Sequence, residues 1–153
     1  MNKELSINEA GKELIKSYEG LRLKAYQDSG GIWTTGYGHT GADVHPGMVI
    51  SKERAEELFD KDIEKFQLGI LHLLTDKENT TSNQFSAMVS LAYNIGLGAF
   101  GKSSVLRFHN QGQFQKASSA FGLWNKVNGE ILQGLAKRRT AESSLYNKKE
   151  LDT

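Results

Sequence analysis

Residues 18–39, which read YEGLRLKAYQDSGGIWTTGYGH, determine how the chain is organised. A helical spacing of apolar residues ends at Gly20, and a glycine in that position is typical of a helix C-terminus. An alternating segment then leads to a turn at residues 28–31, and β-branched and aromatic residues follow from 32 to 37. The pattern predicts the end of a helix followed by a small antiparallel sheet with tight turns.

Two carboxyl groups and a hydroxyl lie on this hairpin: Glu19 ends the helix, Asp28 stands in the turn, and Thr34 lies in the second strand. Two carboxyls in different surroundings are what acid–base cleavage of a glycosidic bond needs. Because the C-terminal end of a helix is negative, it favours the protonated form of Glu19. On composition alone an ordinary alternative stays open, with a solvated helix-end acid, a turn aspartate and a strand threonine.

Helical patterns flank the sheet on both sides. Residues 6–9, Ser-Ile-Asn-Glu, predict a capping box with Ser6 as the N-cap of the first helix, and Ser51 predicts the N-cap of a long helix. Further helical patterns cover residues 83–95, 104–110, 113–123 and 129–146, without strand signals. We therefore predict an α+β fold. A small N-terminal lobe with a short antiparallel sheet (about 15–50) is joined by a long helix (about 51–73) to an all-helical C-terminal lobe (about 74–153, with the N-terminal helix).

The composition is that of one globular domain spanning residues 1–153, with no cysteine and a net charge of only +1. The absence of cysteine excludes disulfides and thiol catalysis, and the low charge gives no global field for a nucleic-acid partner. There is no apolar run of membrane-spanning length and no apolar core of a signal peptide at the N-terminus, so we expect no stable membrane association. A basic stretch at 137–149 favours a solvated last helix over weak attraction to a polyanionic surface.

Three other motifs are rejected. Residues 36–41, GYGHTG, match the dinucleotide-binding fingerprint by letter, but a proline-containing segment follows where a helix is needed. The four histidines have no ligand spacing among themselves, so we predict no metal and no cofactor. No Gly-x-Ser-x-Gly sequence supports a serine nucleophile.

Residues 18–39 closely resemble the signature of phage-type lysozymes (endolysins), in which Glu is followed after eight residues by Asp or Cys, and after five more by Thr. Glu19, Asp28 and Thr34 match all three positions. The resemblance continues at 55–59, 92–96 and 128–139 and covers nearly the whole chain. It implies a lysozyme-like fold and hydrolysis of the β-1,4 bond between N-acetylmuramic acid and N-acetylglucosamine in peptidoglycan.

The resemblance and the chemistry together suggest a role for each group. Glu19 would protonate the leaving oxygen, Asp28 would activate a water or stabilise the oxocarbenium-like transition state, and Thr34 would hold that water. These roles favour an inverting glycoside hydrolase. Two alternatives are a lytic transglycosylase, which needs no activated water, and a non-catalytic wall-binding lysozyme-like protein, in which the catalytic positions ordinarily decay. The intact Asp28 and Thr34 count against both.

Four further residues are candidates for substrate binding. Tyr37 ends the second strand and Gly38 follows it, and Tyr93 and Asn94 would form the far rim of a cleft for the glycan. For Asn94 a purely structural position at a helix C-terminus, before Gly96, remains open.

Four charged residues are candidates for structural support. Asp62 shares a helical stripe with Phe59, so we predict a buried ion pair with His39 that raises the pKa of His39 and lowers that of Asp62. Arg138 or Arg139 is expected either to approach Glu19 and steady it or to form an interhelix salt bridge.

The resemblance also implies a biological setting. The partner would be a peptidoglycan glycan strand, with no role for nucleic acid. The protein would stay in the host cytoplasm until a holin-type membrane permeabilisation released it to the cell wall for lysis of the bacterial host. We expect a monomer.

Overall fold

The computed structural model describes residues 5–149, and within them helices outnumber strands. The α-helices are α1 (Glu9–Glu19), α2 (Lys52–Leu73), α3 (Ser82–Ile95), α4 (Leu97–Gly101), α5 (Ser104–Asn110), α6 (Phe114–Ala120) and α7 (Gln133–Asn147), with a 3-10 helix at Phe121–Leu123. The strands are β1 (Arg22–Gln27), β2 (Trp33–Gly36), β3 (His39–Thr40), β4 (Lys126–Val127) and β5 (Glu130–Ile131). The fold is α+β, as predicted.

The chain divides into two compact units, and the divisions fall within α1 and α2. The sheet unit is Ile15–Lys65 and contains β1, β2 and β3 as an antiparallel sheet in that order. The helical unit comprises the remaining described residues, before residue 15 and from Phe66 onward. Each unit has its own buried apolar residues.

Within the sheet unit, α1 ends at Glu19 and Gly20 follows as its C-terminal stop, as predicted. Gly20 has φ of 72°, and its N–H donates to the carbonyl of Lys16 at 2.9 Å, which closes the last turn. The chain then enters β1, which pairs with β2 so that Tyr26 lies opposite Thr34. Ile50, Ala55 and Leu58 form a buried cluster in this unit.

The long helix α2 begins directly after its predicted N-cap. The Ser51 hydroxyl accepts a hydrogen bond from the N–H of Arg54 at 3.0 Å, which satisfies one of the free donors at the helix start. The predicted C-terminal limit near residue 73 is also confirmed, because α2 ends at Leu73.

Helix α3 is the most deeply buried element of the helical unit. Every residue from 84 to 92 is buried, and α3 contacts both α4 and α7. A helix covered on all sides needs small residues alongside its large apolar ones, and this segment has Ser86, Ala87 and Ser90 in those places.

Two sequence predictions about helix starts are wrong. The N-cap of α1 is not Ser6: helix α1 starts at Glu9, and the Asn8 side chain accepts from the N–H of Gly11 at 2.9 Å. The last helix starts at Gln133 rather than at residue 129. In its place residues 126–131 form the β4–β5 hairpin, so the C-terminal lobe is not all-helical.

The β4–β5 turn has a clear physical reason. Asn128 and Gly129 have φ of 52° and 82°, the left-handed values that a two-residue hairpin turn of type I′ requires. Asn-Gly is the dipeptide most suited to that turn, so the signal was present in the sequence. No helix within residues 5–149 has both the length and the apolarity needed to span a membrane.

Candidate active site

Glu19 is the last residue of α1, and its carboxyl lies against the backbone of Gly38. The side chain is only partly exposed, and a methyl group built onto the α-carbon of Gly38 would lie 2.5 Å from Oε1 of Glu19. Gly38 also has φ of 76°, which a residue with a side chain adopts at a cost. Glycine at position 38 therefore leaves the space that the Glu19 carboxyl occupies.

Asp28 and Thr34 are brought together by one residue, Ile32. The N–H of Asp28 donates to the carbonyl of Ile32 and the N–H of Ile32 donates to Oδ1 of Asp28, both at 2.9 Å. The Thr34 hydroxyl donates to the same Ile32 carbonyl at 3.0 Å. Two side chains separated by six positions are thus held to the two polar groups of one residue.

Each of these two side chains retains hydrogen-bonding capacity. Oδ1 of Asp28 also accepts from the N–H of Gly30 at 2.9 Å, whereas Oδ2 makes no hydrogen bond with any residue of the described chain. The Thr34 side chain is buried and its proton is directed to Ile32, so its oxygen can still accept. The site therefore offers two fixed acceptors close together.

Tyr26 links this pair to Glu19. Burial raises the pKa of the Tyr26 phenol, and the charges of Glu19 and Asp28 raise it further, against the opposing charge of Arg22. Both carboxylates therefore lie within electrostatic reach of the same phenol. Sequence reasoning missed Tyr26, although its position two residues before Asp28 in an alternating strand could have pointed to it.

The predicted contact between His39 and Asp62 is present. Nδ1 of His39 lies 2.8 Å from Oδ2 of Asp62, and the two side chains are 12% and 22% exposed, so the pair is only partly buried. The other ring nitrogen, Nε2, lies 3.0 Å from Oδ2 of Asp43, which the sequence analysis missed. The loop that follows β3 thus supplies a second carboxylate to the same ring.

These contacts shift the pKa values of His39 and Asp43. Burial lowers the pKa of His39, but the hydrogen bonds with Asp62 and Asp43 outweigh it, so the net pKa of His39 is raised, as predicted. The hydrogen bond from His39 lowers the pKa of Asp43. His39 therefore favours its charged form, in which both ring nitrogens donate.

Tyr37, a candidate for substrate binding, makes structural contacts in the sheet unit. Its hydroxyl donates to Oε1 of Glu56 at 3.1 Å, and its ring meets that of Phe59 edge-on with 5.5 Å between centroids. Lys16 pairs with Oε2 of the same Glu56 at 2.9 Å. A role for Tyr37 or for Gly38 in substrate binding stays a prediction.

The other two candidates for substrate binding lie at the end of α3 in the helical unit. The Tyr93 ring packs on that of Phe66 with 5.3 Å between centroids, and Asn94 is exposed next to the last residue of α3. Their contribution to substrate binding also stays a prediction.

Arg138 and Arg139 are buried beside Glu142 on the same helix, α7. Nε of Arg138 is 3.2 Å from Oε2 of Glu142, and Nε of Arg139 is 2.7 Å from Oε1. Both of these ion pairs join residues of a single helix, and the interhelix salt bridge expected of these arginines stays a prediction. Ser90 of α3 adds a hydrogen bond from its hydroxyl to Glu142. The expectation that one arginine steadies Glu19 stays a prediction.

Comparison with known proteins identifies the family. Residues 16–142 match the model of the phage lysozyme family. This chain belongs to the phage lysozyme family. The matched region contains the whole Glu19–Asp28–Thr34 signature.

Individual relatives agree with this assignment. The endolysin of Bacillus phage B103 is 49% identical over 144 residues, which are 93% of this chain and 54% of that protein. The chain thus spans about half the length of that relative. The endolysin of Salmonella phage P22 is 40% identical over 146 residues and is matched over 98% of its length, with 93% of this chain covered.

Solved structures of the family are also similar. The endolysin from Escherichia coli O157:H7 phage FAHEc1 has a TM-score of 0.85 at 36% identity, with all of both chains covered. The muramidase domain of SpmX from Asticaccaulis excentricus also has a TM-score of 0.85, at 39% identity, with 95% of this chain and 100% of that domain covered.

Proposed function

We propose that this member of the phage lysozyme family is an endolysin that cleaves peptidoglycan as a muramidase, at the β-1,4 bond between N-acetylmuramic acid and N-acetylglucosamine. The observation that carries the proposal is the fixed pair of acceptors formed by Asp28 and Thr34 around Ile32. Among its relatives are proteins named as endolysins and one named as a muramidase domain, which supports the same activity.

In the proposed reaction, Glu19 donates a proton to the oxygen of the leaving sugar. Asp28 accepts a proton from a water molecule through its open oxygen, and that water attacks the anomeric carbon. The Thr34 hydroxyl accepts the second hydrogen of the water, because its own proton is directed to Ile32. A water held by two acceptors keeps its lone pairs for the attack.

This arrangement favours inversion at the anomeric carbon, because a water activated on the face opposite the leaving group gives a product of opposite configuration. NMR of the first product distinguishes the two routes. We expect the α-anomer of the new reducing end, and the β-anomer would contradict inversion.

The activity itself is tested on purified peptidoglycan sacculi, with the wild type beside Glu19→Gln. The variant removes the proton donor but keeps its shape, so we expect a loss of about 10²–10⁴-fold or more in the rate of clearing. Glu13→Gln, which removes an exposed carboxyl from the same helix, is the matched control and should clear sacculi like the wild type. Substantial activity of Glu19→Gln would refute the assignment.

Mass spectrometry of the released fragments separates the two alternatives. Reducing N-acetylmuramic acid ends are expected from a hydrolase, and anhydro-muramic ends would indicate a lytic transglycosylase. Binding of sacculi without any release, by a folded wild-type protein, would indicate a wall-binding protein.

The proposed biological role is lysis of the bacterial host, with a holin-type membrane permeabilisation releasing a monomeric enzyme to the wall. Two measurements test it: co-expression with and without a holin, followed by turbidity, and the mass of the protein in solution. Lysis that does not depend on the holin would contradict this route of release.

A further inference from the structure

Tyr26 stands on the same face of the sheet as the two proposed water ligands. It lies directly opposite Thr34 in the β1–β2 register, and paired residues on antiparallel strands share a face. Asp28 continues that register through its hydrogen bond to Ile32, two positions after Tyr26. Because side chains alternate along an extended chain, Tyr26 and Asp28 also share a face.

The aromatic ring of Tyr26 is held by a neighbour on its own strand. The guanidinium carbon of Arg22 lies over the ring, 4.6 Å from its centroid. An arginine stacked on a phenol restricts the ring without using the hydroxyl.

The hydroxyl of Tyr26 has its hydrogen-bonding capacity intact, because it bonds to no group of residues 5–149. Partial burial raises the pKa of the phenol above its ordinary value, and the charge of Asp28 raises it further, so the hydroxyl keeps its proton at neutral pH. The site therefore contains a neutral donor beside two acceptors.

The attacking water needs such a donor. Asp28 and Thr34 both act as acceptors, so each takes one hydrogen of the water. One lone pair of the water then attacks carbon, and the second lone pair is left without a partner. A hydrogen bond to that second lone pair would fix the orientation of the first.

We propose that Tyr26 is a positioning residue that donates this hydrogen bond to the attacking water, an inference that rests on the proposed hydrolase function. In the step, the bond from the water oxygen to the anomeric carbon forms and the bond from that carbon to the leaving oxygen breaks. Asp28 receives a proton from the water, Glu19 gives its proton to the leaving oxygen, and Tyr26 and Thr34 keep theirs.

The test is steady-state kinetics of Tyr26→Phe on soluble, uncross-linked peptidoglycan glycan strands. The variant keeps the ring and its stacking on Arg22 and loses only the hydroxyl. We expect kcat to fall about 10- to 100-fold, the loss that corresponds to a hydrogen bond in a charged site, while KM changes less than about twofold. Thr140→Val, which removes an exposed hydroxyl from α7, is the control and should leave both constants unchanged.

The ratio of the two constants separates this role from others. An unchanged kcat would overturn the proposal. A rise in KM with an unchanged kcat would assign the hydroxyl to glycan binding and would overturn the proposal as well. Thermal unfolding of the variant should match that of the wild type, because the hydroxyl makes no hydrogen bond with residues 5–149.

Two further variants keep the test decisive. Arg22→Gln retains the hydroxyl and loosens the ring, so its loss of kcat should be smaller than that of Tyr26→Phe, and a larger loss would place the role on Arg22 instead. Glu19→Gln is measured in parallel. If it is inactive while Tyr26→Phe is fully active, only the role of Tyr26 fails, whereas an active Glu19→Gln would overturn the proposed function itself.

Discussion

The two compact units differ in how far certain ionisable side chains are exposed and paired. In the helical unit His109, Arg138, Arg139 and Glu142 are at most 4% exposed and are hydrogen-bonded or ion-paired with protein groups. In the sheet unit His39 and Asp43 are 12% and 51% exposed at their side chains, and Oδ2 of Asp28 makes no hydrogen bond within residues 5–149. These ionisable groups are thus enclosed in the helical unit and remain more accessible in the sheet unit, which contains Glu19, Asp28 and Thr34.

His39 and His109 show how this difference affects the pKa of a histidine. Both ring nitrogens of His39 face carboxylates, and its pKa is raised. Both ring nitrogens of His109 face hydroxyls, those of Thr80 at 2.9 Å and Tyr146 at 2.6 Å. Burial lowers the pKa of His109 to about 4. The chemistry of the partners and the extent of burial therefore decide the direction of each shift.

The protonation of His109 follows from its neighbours. Thr80 uses its proton on the carbonyl of Asp76 at 2.8 Å, so it can only accept from Nε2 of His109. Nδ1 is then the acceptor for the Tyr146 hydroxyl. The arrangement needs a neutral ring, in agreement with the lowered pKa.

The largest loss of stability is expected from opening the enclosed network at Glu142. Glu142→Ala leaves Arg138 and Arg139 buried without their carboxylate, so the free energy of unfolding should fall by about 3–5 kcal/mol. Urea unfolding measures it. The matched control is Glu57→Ala in the sheet unit, which breaks an exposed Arg54–Glu57 pair at 3.0 Å with the same three-residue spacing. It should cost about 1 kcal/mol or less, and equal losses would contradict the comparison.

The second largest effect on stability is expected from the protonation of His109 at acid pH. Its pKa is about 4 in the folded protein against an ordinary 6.5, so the unfolded chain binds the proton first as the pH falls. This residue should therefore remove about 3 kcal/mol of stability between pH 6.5 and pH 4. Urea unfolding across that range should show the loss in the wild type and a flatter profile in His109→Gln. Parallel profiles would show that His109 does not titrate in this way.

Sequence patterns predicted the parts of the fold that depend on local periodicity. Helix α2 was predicted because Ser51 and the apolar stripe are local signals, and the α1 stop at Gly20 is local as well. The start of α1 was mispredicted because a tertiary contact decides it: the N–H of Asn8 donates to the hydroxyl of Ser86, 78 positions away, at 3.0 Å. A single sequence contains no sign of that partner.

The site was predictable to a similar degree. The contact between His39 and Asp62 followed from helical spacing, whereas Asp43 lies in a loop with no periodicity to place it. Tyr26 was missed although its alternation with Asp28 was a local signal, and the strand register that sets it opposite Thr34 is seen only in the structure. The two-residue strands β4 and β5 are too short to show alternation, and only their turn carried a signal.

A smaller effect is expected from the accessible histidine. Asp62→Asn removes the charged partner of His39 and should cost about 2 kcal/mol near neutral pH. Because the pKa of His39 is raised, its stabilisation is complete below the ordinary value of 6.5 and is lost as the pH rises through the folded value. Because the pKa of Asp43 is lowered, the stabilisation that its contact with His39 contributes is lost as the pH falls through that lower value.

NMR titration of the imidazole checks this prediction directly. The pKa of His39 should fall in Asp62→Asn and also in Asp43→Asn, which removes the more exposed partner. His109 serves as the internal control, because its ring faces neither aspartate. An unchanged His39 titration in both variants would show that the carboxylates do not set its ionisation.

The smallest effect on stability, with a large effect on activity, is expected at Gly38. Gly38→Ala adds a methyl group 2.5 Å from Oε1 of Glu19, at a φ of 76°. The backbone cost is about 1 kcal/mol. The flexible carboxyl can move away from the methyl group, so folding should survive while the proposed proton donor is displaced. A displaced donor is expected to lower the rate of sacculus clearing about 10²-fold, because catalysis depends on placement within about 1 Å.

Gly31→Ala is the matched control, since its φ of 80° carries the same strain but its added methyl group meets no atom within 4 Å. It should lose similar stability and little activity. Equal activities of the two variants would mean that the space beside Gly38 does not determine where Glu19 acts.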